Sequence, residues 1–301
     1  MSRFIHIVEV GPRDGLQNEA RVLDIAERLD FITRLEACGV ERLETVSFVN
    51  ARRVPQMAGA EEIMAALPRG GAARIGLVLN RRGWDRAVAA GCDEANVVVC
   101  ATDGFGSRNQ GAPVAEQVET MAQIAALRAE TGGPALSLTI SVAFGCPFDG
   151  EVSQDQVVAI AREAATAGIE EIALGDTIGV ADPWTVRRRI EAVRAVAPAA
   201  RLRMHFHNTR NTGLANAFAS VEAGVQVLDA SCGGIGGCPF APAATGNIAT
   251  EDLVYMLQRA GFETGLNLDG LIATGRWIAE RLGKAPVSAL TRAGVFPARA
   301  G

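Results

Sequence analysis

Histidine is scarce in this chain, three residues in 301, so two of them close together carry information. Cysteine is sparse and irregularly placed: Cys38, Cys92, Cys100, Cys146, Cys232 and Cys238, with no Cys-x-x-Cys spacing. In a chain this long that argues against a disulfide framework and for reduced thiols in a cytoplasmic protein. No run approaches the roughly 18 apolar residues of a membrane span. The first ten residues, Met1 to Val10, hold no apolar core long enough for a signal peptide and run straight into a strand pattern, so a soluble protein is expected. Positive charge is not in excess: a net charge of -5 and a pI near 5.4 exclude a global attraction to nucleic acid or to anionic membranes. The local pairs Arg52-Arg53 and Arg81-Arg82 read first as solvated surface charge that can still attract an anionic ligand. Pro-, Gly- or Ser-rich linkers are also lacking. The chain is therefore read as one catalytic domain, a barrel over about 4–262 with an extension over about 263–301.

What is present is ordinary for a globular protein with an ample core, 49% hydrophobic and 21% charged residues, and it is strongly patterned. Short apolar, β-branched runs predict strands at Ile5 to Val10, Arg42 to Phe48, Arg74 to Leu79, Glu94 to Ala101, Leu136 to Phe144, Glu171 to Gly175, Leu202 to His207 and Val225 to Ser231. Amphipathic runs between them predict helices at Leu23 to Cys38, Ala60 to Leu67, Arg82 to Ala90, Pro113 to Thr131, Gln154 to Ala167, Pro183 to Ala197, Thr212 to Ala223 and Thr250 to Arg259. Several end in glycine, as helix C-termini prefer: Gly39, Gly91, Gly168 and Gly224. Eight strand-helix units in alternation predict an α/β fold, a (β/α)8 TIM barrel, with an additional C-terminal helix over Leu266 to Leu282. A doubly wound open sheet is the competing architecture.

A barrel would gather polar residues from the ends of its strands at one mouth. These are Arg13 and Asp14; Glu44 and Ser47; Asn80; Thr102 and Asp103; Asp176 and Thr177; His205 and His207; and a Gly-rich loop from Cys232 leading to Asn247. His205 and His207 end a strand two residues apart, so they share a face with Cα atoms about 6.5 to 7 Å apart, close enough to grip one metal ion. Oxygen donors at the mouth are Asp14, Asp176 and the amide of Asn247. Nitrogen and oxygen donors with open positions suit six-coordinate Mg²⁺ or Mn²⁺, and zinc less, since no cysteine has ligand spacing to the histidines. Such an ion is a Lewis acid for a carbonyl or alkoxide. Arg13 can stabilise a developing oxyanion or simply pair with Asp14 or Glu44. Cys238, in the glycine-rich loop, is either an acid-base thiol over bound substrate or an inert cysteine, and the other cysteines read as structural.

The segments Glu9 to Glu19, Glu44 to Val49, Val54 to Met57, Gly175 to Gly179, the histidine pair, Gly236 to Phe240 and Gly246 to Val254 together resemble hydroxymethylglutaryl-CoA lyase, in order, from about residue 5 to residue 260. That family belongs with the metal-dependent barrel lyases and Claisen-type synthases. The resemblance implies cleavage of a 3-hydroxy-3-methylglutaryl-CoA-like acyl-CoA thioester to acetyl-CoA and a 3-keto acid, acetoacetate for the parent substrate. It further implies Asp14, His205, His207 and Asn247 as ligands of Mg²⁺ or Mn²⁺, Arg13 as the enolate stabiliser and Cys238 as the acid-base thiol. Glu9, Glu44 and Asp176 would stand around the site, with one carboxylate or His205 removing the 3-hydroxyl proton. Substrate contacts are expected from Glu9, Arg13, Gln17, Asn109, Thr177, Asn208 and Arg210. A homo-oligomer is left open. The chain departs from the family at Asn208-Thr-Arg210, where Asp-Thr-Tyr is usual, at Ala51-Arg52-Arg53, where Pro-Lys-Trp is frequent, and at Thr102-Asp103, where Ser-Glu is usual, although Phe105 and Asn109 are kept. All three departures are expected at the substrate mouth, which puts the acyl group rather than the reaction in question. The alternatives are a Claisen-type synthase or aldolase, whose usual Asp-x-Thr-Leu-Arg-Asp-Gly opening is absent, and a non-catalytic acyl-CoA-binding relative.

Overall fold

A computed structural model describes residues 4–237 and 246–297. Eight parallel strands close into a barrel: β1 His6–Glu9, β2 Arg42–Ser47, β3 Ala73–Val78, β4 Glu94–Cys100, β5 Ala135–Ser141, β6 Glu171–Asp176, β7 Arg201–Phe206 and β8 Val227–Ala230. Closure comes from β1 pairing with both β2 and β8, His6 standing opposite Val227. Eight helices follow the strands: α1 Ile25–Ala37, α2 Ala60–Ala66, α3 Arg81–Ala90, α4 Val114–Thr131, α5 Gln154–Thr166, α6 Pro183–Val196, α7 Gly213–Glu222 and α8 Thr250–Arg259. The additional helix, α9 Leu268–Arg281, packs outside against α1 and α8. No described helix is long and apolar enough to cross a membrane. The five described cysteines are all free.

Local chemistry starts these helices where the sequence places them. Asp24 and Ser153 form capping boxes with Glu27 and Gln156, while Asn80 and Asp182 accept amide hydrogens from the first turns of α3 and α6. Each such cap is worth about 1 kcal/mol. The apolar stripes then bury against the outside of the barrel, Phe31, Ile32 and Leu35 from α1 being fully covered.

The barrel interior is more polar than the strands' hydrophobic appearance suggests. Arg203, 2% exposed, lies within ion-pair distance of Glu171 at 3.3 Å, Asp229 at 3.4 Å and Glu94 at 3.7 Å. Arg42 closes the same network through Glu94 at 2.7 Å and Glu171 at 2.9 Å. Buried charges are tolerated only when so matched. This network forms the floor of the mouth.

Two segments depart from the expected pattern. The fifth strand stops at Ser141 rather than running to Phe144, because Val142 adopts φ 50° and gives its amide to Thr177 Oγ1 at 2.8 Å. Beyond it lies a two-stranded hairpin, Gly145–Cys146 with Gly150–Glu151, and a short helix, Asp103–Asn109, follows β4.

Candidate active site

At the C-terminal end of β1 the chain makes a single five-residue π turn, Gly11–Gly15. Both glycines are required by close approach: a Cβ on Gly11 would meet Glu9 Oε1 at 2.6 Å, and one on Gly15 would meet Ser231 Oγ at 2.7 Å. Between them, Arg13 and Asp14 are delivered to the mouth. Arg13 Nη1 donates to Asp14 Oδ1 at 2.8 Å and Nη2 to Glu44 Oε2 at 2.6 Å, while its buried Nε–H has no partner among the described residues. Asn96 donates to the other Glu44 oxygen at 3.2 Å. The guanidinium is therefore fixed on two sides with three of its five N–H donors unspent.

Strand β7 delivers the histidines. His205 Nε2 and His207 Nε2 converge to 3.1 Å, and each is within 4 Å of Asp14 Oδ2. Segment 246–248 runs back beside this strand end, with Asn208 N donating to Gly246 O at 2.6 Å and Ile248 N to Phe206 O at 3.1 Å. That pairing places Asn247 behind the group, where its Nδ2 donates to Asp14 Oδ2 at 2.7 Å and its buried Oδ1 is left without a donor. One ligand atom each from Asp14, His205 and His207 lies within 4.8 Å of the others. Two imidazole nitrogens and a carboxylate converging, with a buried amide on the neighbouring Asn247 whose oxygen has no donor, fit a hard divalent cation.

Electrostatics follow from this crowding. Burial alone would raise the Asp14 carboxyl, but the Arg13 charge and the histidines outweigh it and hold it well below the usual carboxylate range. For His205, burial pulls the pKa down, yet the Asp229 bond and the Asp14 charge override it and leave it raised. Asp229 is 3.2 Å from His205 Nδ1. Accepting the Nδ1 hydrogen, it selects the tautomer whose Nε2 lone pair faces the ligand group.

A cavity of about 210 Å³ opens onto these groups. Of the residues expected at the site, Arg13, Asp14, Gln17, Glu44, Asn109, Thr177, His205 and His207 border it, and Asn247 touches Asp14 from behind. Four others are not brought to it. Glu9 is fully buried as a strut, accepting from Gly11 N, Cys232 N and the Thr250 hydroxyl, so it is not free to touch substrate. Asp176 turns to the amides of Val180 and Ala181 at 2.8 and 3.1 Å and holds its own loop. Asn208 accepts the Gly213 amide at the start of α7, and Arg210 reaches the Ile178 and Gly179 carbonyls, so neither departure at 208–210 borders the cavity. Cys238, with Pro239 and Phe240, lies outside the described residues. Its neighbour Gly237 borders the cavity.

Asp229, Asn96 and Thr139 border the cavity as well and were not expected there. The available signal was a carboxylate inside the apolar run Val227-Leu-Asp-Ala230, on the strand paired with that of the histidines.

Comparison with known proteins agrees with this geometry. The family model described as HMGL-like matches residues 4–278. The chain is 44% identical to an (R)-citramalyl-CoA lyase of Chloroflexus aurantiacus, over 97% of this chain and 96% of that protein. It is 39% identical to a 3-hydroxy-3-isohexenylglutaryl-CoA/hydroxy-methylglutaryl-CoA lyase of Pseudomonas aeruginosa, over 97% and 98% of the two chains. Among solved structures, an HMG-CoA lyase from Acinetobacter baumannii in complex with coenzyme A and 3-methylmalate superposes with a TM-score of 0.94 at 36% identity, over 100% of this chain and 98% of that one.

Proposed function

Because the chain belongs to the HMGL-like family and is a carbon–carbon lyase, we propose that it cleaves the C2–C3 bond of 3-hydroxy-3-methylglutaryl-CoA or a closely related 3-hydroxyacyl-CoA, releasing acetyl-CoA and a keto acid. The observation that carries this reading is the convergence of Asp14, His205 and His207, with the Asn247 amide on Asp14, beside the fixed guanidinium of Arg13. Asp14, His205, His207 and Asn247 would hold Mg²⁺ or Mn²⁺, which would supply a Lewis acid for the substrate's 3-hydroxyl region. Arg13 receives the charge that develops on the thioester oxygen as the C2–C3 electron pair moves toward it, a preorganised donor worth several kcal/mol. The 3-hydroxyl proton goes to Glu44: of the carboxylates lining the cavity, Asp14 is a proposed metal ligand and Asp229 is taken up by Arg203 and His205, while Asp176 faces backbone amides. Cys238 returns a proton to C2 of the enolate, consistent with the position of adjoining Gly237 at the cavity edge.

One observation favours a shorter acyl group. Arg13 is the sole Lys or Arg among the described residues lining the cavity, and 238–245 contains neither. The free carboxylate of the substrate therefore has no side-chain cation of its own among the described residues, and the ion that those four residues would hold is the remaining positive charge. That favours a carboxylate close to the hydroxyl-bearing carbon, as in citramalyl-CoA, the substrate in the name of the 44% identical relative.

Both thioesters, offered together with Mn²⁺ and the products read by mass, decide between them: pyruvate marks citramalyl-CoA and acetoacetate marks 3-hydroxy-3-methylglutaryl-CoA. Cleavage of neither, with condensation of acetyl-CoA onto a 2-oxo acid, would overturn the lyase reading in favour of a synthase. Binding without turnover of any thioester would overturn it in favour of an acyl-CoA-binding protein.

A further inference from the structure

Asn109 borders the cavity from a helix that its own sequence gives little reason to form. Asp103–Asn109 is seven residues long and contains Gly104 and Gly106, so its stability has to come from tertiary contacts. The hairpin beyond β5 supplies them. Asp149 Oδ2 accepts the Gly104 amide at 2.9 Å, and Thr102, which caps the helix, donates its hydroxyl to Cys146 Sγ at 3.1 Å. A Cβ on Gly104 would overlap the Asp149 carboxylate, so the joint closes only because residue 104 has no side chain. The Phe148 ring completes the contact, its centroid 6.2 Å from that of Phe105 and 4.3 Å from the Arg108 guanidinium. The hairpin is itself anchored: buried Arg189 of α6 donates to Ala143 O at 2.5 Å and Val152 O at 3.0 Å, on either side of it. The departure from the family at Thr102-Asp103 falls in this joint, and neither residue borders the cavity.

We propose that Asp149 is a positioning residue: from outside the cavity it fixes the amino end of the short helix, and through that helix it sets Asn109 against the substrate. Asn109 is the residue such a joint controls. It is exposed at the far end of the helix, and its side chain has no hydrogen-bond partner among the described residues, whereas Phe105 is held in the core at 3% exposure. The assignment rests on the reading of the cavity as an acyl-CoA site.

A double-mutant cycle between Asp149→Ala and Asn109→Ala in the full chain separates positioning from general support. Alone, Asp149→Ala raises KM about five- to tenfold and leaves kcat within about threefold, because Arg13 and the proposed metal ligands stand on other elements. In the Asn109→Ala background the same substitution changes KM by less than about twofold. Asp149→Asn, whose amide oxygen can still accept from Gly104, stays within about twofold of the parent. Gly104→Ala reproduces the KM rise by steric conflict and becomes neutral once residue 149 is also alanine. Hydrogen exchange reads the joint without turnover: in Asp149→Ala the amides of 104–109 exchange about tenfold faster or more, while those of β3 keep the parent rates. Effects of Asp149 and Asn109 that simply multiply would leave Asp149 as ordinary support for the hairpin and overturn the proposal, as would unchanged exchange in the short helix. Where no thioester is cleaved, the dissociation constants of citramalyl-CoA and 3-hydroxy-3-methylglutaryl-CoA replace KM in the cycle; coupling there supports the positioning role and sinks only the lyase reading. A protein that binds neither thioester overturns both.

Discussion

Asp229→Asn isolates one link in the proposed metal site. The carboxylate stands 3.2 Å from His205 Nδ1 through one oxygen and 3.4 Å from Arg203 Nε through the other. An amide of the same shape cannot serve both. With its oxygen toward His205, the NH₂ group faces the Arg203 cation; flipped, it faces Nδ1 and drives the imidazole hydrogen to Nε2, into the space where the ligands converge. Outer-sphere partners of this kind change metal affinity about 10- to 100-fold, roughly 1.4 to 2.8 kcal/mol. The expected result is a Mn²⁺ dissociation constant raised by that factor at pH 8.5, measured from the paramagnetic resonance of the free ion. Arg203 keeps Glu171 and Glu94, so global stability falls by only about 1 to 3 kcal/mol in urea titrations. Because Asp229 also helps raise the His205 pKa, the unaltered protein suffers more proton competition than the variant, and the penalty shrinks as pH falls toward 6. A folded Asp229→Asn protein whose Mn²⁺ affinity is within twofold of the parent at pH 8.5 would refute the tautomer argument.

Three other outcomes follow from the same geometry. Arg13→Gln leaves Mn²⁺ bound but removes the enolate donor and strands buried Glu44, and kcat falls by about 10²- to 10³-fold; a loss confined to KM would show that Arg13 only binds. Cys238→Ala keeps both the fold and Mn²⁺ affinity while kcat drops about 10²- to 10⁴-fold; unchanged turnover would remove the thiol from the reaction. Burial pushes the Glu251 carboxyl up from 4.5 to about 7, so it is neutral in the fold while the unfolded chain ionises, and stability declines as pH rises from about 4.5 to about 7 and then levels off. Glu251→Gln removes its own share of that decline, leaving the share of Glu9, whose carboxyl burial likewise raises to about 7, and is more stable than the parent by roughly 3 kcal/mol at pH 8, with little difference at pH 4.5; urea midpoints of parent and variant that run parallel across this range would contradict the assignment.

The alternation of apolar strands and amphipathic stripes was enough to read the barrel, because both signals arise from burial against one shared core. It was not enough to read strand ends. Val142-Ala-Phe144 continues the apolar run of β5, but the Val142 backbone is set by Thr177, a residue 35 positions away. The helix Asp103–Asn109 contains two glycines and owes its position partly to Asp149, which accepts the Gly104 amide from the hairpin.

The candidate site divides in the same way. His205 and His207 are legible because strand alternation holds up to the end of β7. It ceases at once afterwards, where Asn208 caps the approach to α7 and Arg210 turns to the loop after β6. Nearness in sequence to a ligand therefore did not carry those residues into the cavity, while Asp229, 22 residues beyond His207, is carried there by strand pairing. The interior polar positions obey a period of two that the hydrophobic outward faces conceal: Glu94 and Asn96, Ser137 and Thr139, Arg203 and His205. Each pair is a step from the ionic floor of the barrel toward its mouth. Asp229 joins the two levels, pairing with Arg203 below and His205 above, so the proposed metal ligands rest on a charge network that the sequence displays only as isolated polar residues in otherwise apolar strands.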